Sequence, residues 1–178
     1  MRILVAGIYR SGSTWLFNAV KLIAEASTEQ EFTTAFYQSE QYNYRDEEFV
    51  IVKTHKYYPN IIRDFDFIFT SNRDPLDIFY SMQNVHKKGI SSEYRNASNF
   101  LGLNEFTGWL EEWNNHTDYC MEFEQMMEDK KQVLTDIADV MGVDVDINKI
   151  HKKLLKMKAP KQGHDTDTFM SEAHYKFQ

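Results

Sequence analysis

Three short apolar runs punctuate the chain: "ILVAG" (residues 3–7), "FVIVK" (49–53) and "FDFIFTS" (65–71). Each is strand-length and carries little of the polar alternation that a half-wetted strand would show. Such runs predict strands buried on both faces. Between them the period changes. Leu16, Ala19, Val20 and Ile23 recur at helical spacing after a glycine-containing turn. After the third run, "NRDP" offers Asp74 as a cap and Pro75 as the first helical residue, predicting a helix to about Lys88 that stops at Gly89. "YCMEF" (119–123) reads as a fourth strand. "KQVLTDIADVMG" (131–142) reads as an amphipathic helix with Val133, Leu134, Ile137, Ala138 and Met141 on one face and Gly142 as its stop.

Strands alternating with helices predict an α/β fold of three layers, a mostly parallel central sheet flanked by helices, in one domain over residues 1–178. Ligands of such sheets bind beyond the carboxyl ends of the strands. That rule gathers three segments into one candidate site: residues 7–15, 53–58 and 71–81.

Composition narrows the partners. With 20 Lys and Arg against 27 Asp and Glu, the formal net charge is −7, which disfavours a general nucleic-acid or anionic-membrane binder. An anion would therefore be held by a local cationic pocket. Hydrophobic residues make up 42% and aromatics 15%, enough for a packed core. One cysteine, Cys120, allows no internal disulfide and no cysteine metal cage. His86, His116, His151, His164 and His174 lack compact metal-ligand spacing. With no secretory h-region and no apolar run of membrane-spanning length, a cytoplasmic protein is expected.

The chemistry begins in "GIYRSGST" (7–14). Gly7 and Gly12 have the spacing of a phosphate-binding loop, and Thr14 stands at its hydroxyl position, but Ser13 replaces the lysine. A strand-to-helix turn presents unpaired N–H groups at a positive helix end. Ser11, Ser13 and Thr14 add hydroxyls, and Arg10 adds a guanidinium suited to a tetrahedral oxyanion. The strand ends carry Lys53 and Arg73, where a triphosphatase would carry a magnesium-binding aspartate. The loop thus suits a phosphate handled without metal. In "KTHKYYP" (53–59), Lys53 and His55 lie at i and i+2 and point to the same side of an extended chain, pairing a cation with a titratable base. In "RDPLDIFYS" (73–81), Arg73 precedes a helix and Ser81 lies two turns into it. Tyr37, Tyr42, Tyr44, Tyr57 and Tyr58 flank the second strand, either lining an acceptor pocket or filling core and surface. Lysines near His151 read as a solvated helix face.

Together these segments resemble the sulfotransferases that use 3′-phosphoadenosine 5′-phosphosulfate (PAPS). The family's Y-P-K-S-G-T-T-W loop is similar to "IYRSGSTW", with Arg10 at the lysine and Ser11, Gly12, Ser13, Thr14 and Trp15 following in register. Its K-[ST]-H-x-P segment resembles "KTHKYYP" with one inserted residue. Its R-[ND]-P-x-D motif, with a serine eight residues after the arginine, resembles "RDPLDIFYS". "YCMEFEQMMEDKKQVLTDIADVMGV" is similar to the family's Y-E-D-L strand and following helix, with Phe123 where many relatives have tyrosine. "PKQG" stands where many carry R-K-G, bringing in Lys161 and Gly163. The resemblance implies a P-loop-like sulfotransferase fold and in-line sulfuryl transfer from PAPS to an acceptor hydroxyl or amine, without metal. It implies His55 as general base, Lys53 and Arg10 as catalytic cations, and Arg73 and Ser81 as ligands of the 3′-phosphate. Two other readings use the same loop: a small-molecule kinase using ATP and Mg²⁺, and a non-catalytic nucleotide-binding protein.

Overall fold

The computed structural model describes residues 1–37, 44, 46–87, 100–161 and 165–170. Five strands form one sheet: β1 (Arg2–Gly7), β2 (Thr33–Phe36), β3 (Val50–Thr54), β4 (Phe67–Asn72) and β5 (Tyr119–Glu122). Their order is β2-β3-β1-β4-β5, and every neighbouring pair is parallel. This is an α/β P-loop-like architecture. The chain leaves the central strand β1, builds one side of the sheet, then crosses to build the other. The reversal places a crevice at the carboxyl ends of β1, β3 and β4.

Burial on both faces is visible along β1. Ile3 and Val5 join a core with Leu16, Phe17, Val20 and Ile23 of α1 (Ser13–Ser27). Leu4 and Ala6 join another with Ile61 and Trp113. Around these lie a 3₁₀ turn (Pro59–Asp64), α2 (Pro75–Lys87), α3 (Phe100–Asn114), α4 (Phe123–Glu128), α5 (Lys130–Met141) and α6 (Ile147–Lys156). The helix-forming logic holds locally. Asp74 Oδ1 accepts from the N–H groups of Leu76 at 2.7 Å and Asp77 at 3.2 Å, and Pro75 opens α2. Gly142 ends α5 in the left-handed region, φ 66°. Gly89, expected to stop α2, lies outside the described residues.

Strand β2, the 3₁₀ turn, α3 and α4 go beyond the sequence expectation, and Phe123, expected to end the fourth strand, instead opens α4. Strand β2 is short and only partly buried, with Thr33 exposed, so it shows no apolar run. Helix α3 contributes Leu110 and Trp113 to two different cores, which blurs its periodicity. Tyr37 and Tyr44 are buried in the second core, with Tyr57 and Tyr58 packed against it, so these tyrosines fill core. Tyr42 lies outside the described residues. Among the described residues no helix is long and apolar enough to cross a membrane.

Candidate functional site

The loop after β1 is shaped by what two glycines omit. Gly7 pairs in register with Ser71 of β4. A Cβ on Gly7 would overlap Ser71 Oγ and lie 2.9 Å from Ser13 Cβ. In that space Ser11 Oγ donates to the Ile8 carbonyl at 2.7 Å and shares a 2.6 Å hydrogen bond with Ser71 Oγ. Ser11 therefore shapes the turn, its hydroxyl directed inward. Arg10 and Gly12 both take left-handed backbone, φ 67° and 87°. Gly12 is the cap of α1, and a Cβ there would crowd Phe123 Cδ2 at 3.0 Å and Met121 Cε at 3.1 Å. Among the described residues no side-chain hydrogen bond caps α1, so its first-turn N–H groups lack the partner that Ser or Asp would supply. Ser13 and Thr14 sit in that turn and are buried, while Trp15 packs half-buried against the first core.

Cations converge on this turn from three elements. Arg10 Nε donates to Ser81 Oγ of α2 at 2.9 Å. Arg73, 63 residues from Arg10 in sequence, donates from Nη1 to the Arg10 carbonyl at 3.1 Å. Its guanidinium carbon lies 4.1 Å from the centre of the Phe123 ring, and Nη2 lies 3.8 Å from Asp77. Its Nε is buried without a hydrogen-bond partner among the described residues. An orphaned guanidinium donor next to an uncapped helix end fits an anion. Arg10, Ser81, Arg73 and Phe123 are thus assembled in one place.

Lys53 and His55 arrive from β3. Lys53 is 2% exposed, and its Nζ donates to Thr14 Oγ1 at 2.6 Å. Burial pushes the ammonium down to about 7 from its ordinary 10.5. His55 Nδ1 lies 2.5 Å from the Gly7 carbonyl. A carbonyl only accepts, so Nδ1 carries the proton and the neutral ring's lone pair is on Nε2. Tyr9 and Phe36 flank the imidazole at ring-centre distances of 4.1 and 5.3 Å.

The lowered Lys53 has a consequence for stability. Between about pH 7 and 10.5 the unfolded chain holds a proton at Lys53 that the folded chain has released, so this group makes stability rise with pH across that window. Below pH 7 the cost of the buried charge is present in full. Lys53→Met should therefore raise the melting temperature at pH 6 by about 2–4 °C, roughly 1 kcal/mol for a chain of this size, and flatten the rise toward pH 10. Parallel pH–melting curves for the two proteins would count against a strained lysine charge.

Some contributors carried no sequence signal. Ser71 lies in the 71–81 segment, but its contact with the loop is seen only through the β1–β4 register; Phe36 is seen only through β2, and Phe169 only through the C-terminal fold-back, where its ring centre lies 5.8 Å from Lys53 Nζ. Tyr9 lies within the phosphate-loop motif itself, next to Arg10. Of the C-terminal candidates, Lys161 is exposed, and Gly163 lies outside the described residues.

No family model matches the sequence, and no curated protein matches it. The fold, by contrast, has solved counterparts. The crystal structure of mouse sulfotransferase SULT7A1 complexed with PAP superposes with a TM-score of 0.70 at 17% identity, covering 99% of this chain and 74% of that one. Retinol dehydratase with retinol and PAP gives 0.55 at 18% identity, covering 86% and 63% of the two chains. Retinol dehydratase with androsterone and the inactive cofactor PAP gives 0.55 at 19%, covering 85% and 62%. The chain has the fold of the PAPS-dependent sulfotransferases.

Proposed function

We propose that this chain is a sulfotransferase that moves a sulfuryl group from PAPS to an acceptor hydroxyl or amine by in-line transfer. The observation that carries the reading is the meeting of Arg10, Arg73 and Ser81 at the uncapped start of α1, beside Lys53 and His55. Cations from three strand ends surround one helix N-terminus, as a ligand with two separate phosphates requires. Gly12, Ser13 and Thr14 of the loop hold the 5′-phosphate, on a turn that Ser11 keeps curled. Arg73 and Ser81 hold the 3′-phosphate, and Phe123 keeps the Arg73 guanidinium in plane. Trp15 contributes to the nucleotide side of the pocket.

PAPS, when bound, supplies the sulfuryl group and a phosphate leaving group. The chain supplies the rest. His55, its Nδ1 proton fixed on the Gly7 carbonyl, accepts the acceptor's proton at Nε2. Lys53 and Arg10 place positive charge beside the loop, where a departing phosphate gathers negative charge. The β-strand ends hold these groups on rigid backbone, so little reorganisation is needed.

The test is transfer of labelled sulfate from PAPS into an extract of the source cells, with the product identified by mass. A sulfated product is expected. Transfer from ATP that requires Mg²⁺ would establish a kinase instead. Tight binding of adenosine 3′,5′-bisphosphate (PAP) with no transfer to any acceptor would establish a non-catalytic binder.

A further inference from the structure

Asn18 and Lys21 are buried polar side chains on α1, a helix that otherwise presents Leu16, Phe17, Val20 and Ile23 to the core. Both reach across about 150 residues of sequence to the turn at 165–170. Asn18 Nδ2 donates to the Thr168 carbonyl at 2.9 Å as well as to Thr14 O at 2.8 Å. The Lys21 ammonium pairs with Asp167, and Glu25 lies 3.8 Å away. Asp165 folds the turn on itself: its Oδ1 accepts from the N–H groups of Asp167 and Thr168, each at 2.9 Å, and its own N–H donates to Met170 O at 2.8 Å.

The clasp presents one side chain. Phe169 sits in left-handed backbone, φ 51°, and is 7% exposed. A non-glycine residue is strained in that conformation, so its surroundings must hold it there. Its ring meets Phe17 edge-on at 4.8 Å and Phe36 at 5.7 Å, and Phe36 in turn touches the His55 ring. Lys53 Nζ lies 5.8 Å from the Phe169 ring centre.

We infer that the 165–170 turn belongs to the active centre, and that Phe169 is a positioning residue whose ring shuts water away from Lys53 and keeps the ammonium on Thr14. Lys53 faces Thr14 from α1 and Phe169 from the turn, and no carboxylate among the described residues pairs with it. The other titratable and charged groups on the packed elements are His55 on its own strand side, Arg10 in the loop, and Lys21, Glu25, Asp165 and Asp167 of the clasp. A lysine kept dry and without a counter-ion is costly to charge, and an anion entering the loop removes that cost. Lys53 therefore becomes fully protonated when phosphate arrives. The identity of that anion rests on the sulfotransferase reading; the sealing does not.

Phe169→Gly is the informative variant, because glycine adopts the left-handed backbone without strain while removing the ring. The pH dependence of Lys53 acetylation by acetic anhydride, read by peptide mass spectrometry, reports its titration. In the wild type the midpoint should lie near neutrality. Phe169→Gly should raise it by about one pH unit or more, Phe169→Leu should stay close to wild type, and Asp167→Asn, which loosens the clasp but keeps the ring, should shift it upward by less. An unmoved midpoint in both Phe169→Gly and Asp167→Asn overturns the sealing role. Calorimetry of PAP binding above pH 7, in buffers of different ionisation enthalpy, should show proton uptake in the wild type and less in Phe169→Gly. A wild type that does not bind PAP would defeat the sulfotransferase reading and leave the acetylation result standing. Normal PAP binding with an unmoved midpoint would defeat the sealing role alone.

Discussion

Replacing His55 with alanine should lower turnover by about 10²–10⁴, the usual worth of a positioned base, while PAP binds nearly as well as to wild type. The asymmetry follows from where the imidazole sits. Its Nδ1 is held by the Gly7 carbonyl at the end of β1, and Tyr9 and Phe36 fix the ring plane. In the proposed reading the groups that hold the phosphates are others: Arg73, Arg10 and the start of α1. Alanine also leaves the Gly7 carbonyl without its donor, so a loss in turnover alone could come from a relaxed loop. His55→Asn separates the two causes, because the amide N–H can still reach the carbonyl but cannot take a proton. Both variants should lose turnover alike. Recovery of activity in His55→Asn would move the role of His55 from proton transfer to loop geometry, and normal sulfation by His55→Ala would remove it from the mechanism.

The sheet and the loop were legible because their physics is local. β1, β3 and β4 are wet on neither face, so each appears as an apolar run, and the helices that cover them show a 3.6-residue period. Gly7, Gly12, Lys53, His55 and Arg73 lie at or just past strand ends, and the carboxyl-end rule groups such positions from sequence alone, with Ser81 two turns into the helix that follows β4. The clasp had no such signature. Asn18 and Lys21 look like polar interruptions of α1 until the turn at 165–170 is laid against them. Phe169 is one aromatic among 13 phenylalanines, and nothing nearby marks its φ. β2 was hidden for a different reason: an edge strand with a half-wetted, four-residue body carries neither a run nor an alternation. Long-range contacts between single residues are where a pattern of hydrophobicity has no purchase.

Replacing Arg73 with alanine should weaken PAP by about 10²-fold and adenosine 5′-phosphate by much less. The guanidinium is already oriented: Nη1 on the Arg10 carbonyl, the plane against Phe123, and Asp77 at 3.8 Å. Among the described residues its buried Nε has no hydrogen-bond partner, so a phosphate oxygen there would meet a donor already removed from water. Charge-assisted hydrogen bonds of this kind are worth roughly 1.5–3 kcal/mol, and each 1.4 kcal/mol is a factor of ten in affinity. Phe123 also sits over Gly12, so alanine at 73 leaves an aromatic face open near the loop, and a small common loss for both nucleotides should result. What identifies the 3′-phosphate is the difference between the two ligands. Arg73→Lys sharpens it further: the ammonium keeps the charge but loses the fork and the stacking plane, so its PAP affinity should fall between wild type and alanine. Equal losses for PAP and adenosine 5′-phosphate in Arg73→Ala would place Arg73 at the 5′ end or in the scaffold. The two-phosphate logic of the site would then have to be given up, because Arg73 is the cation that distinguishes this pocket from a single phosphate-binding loop.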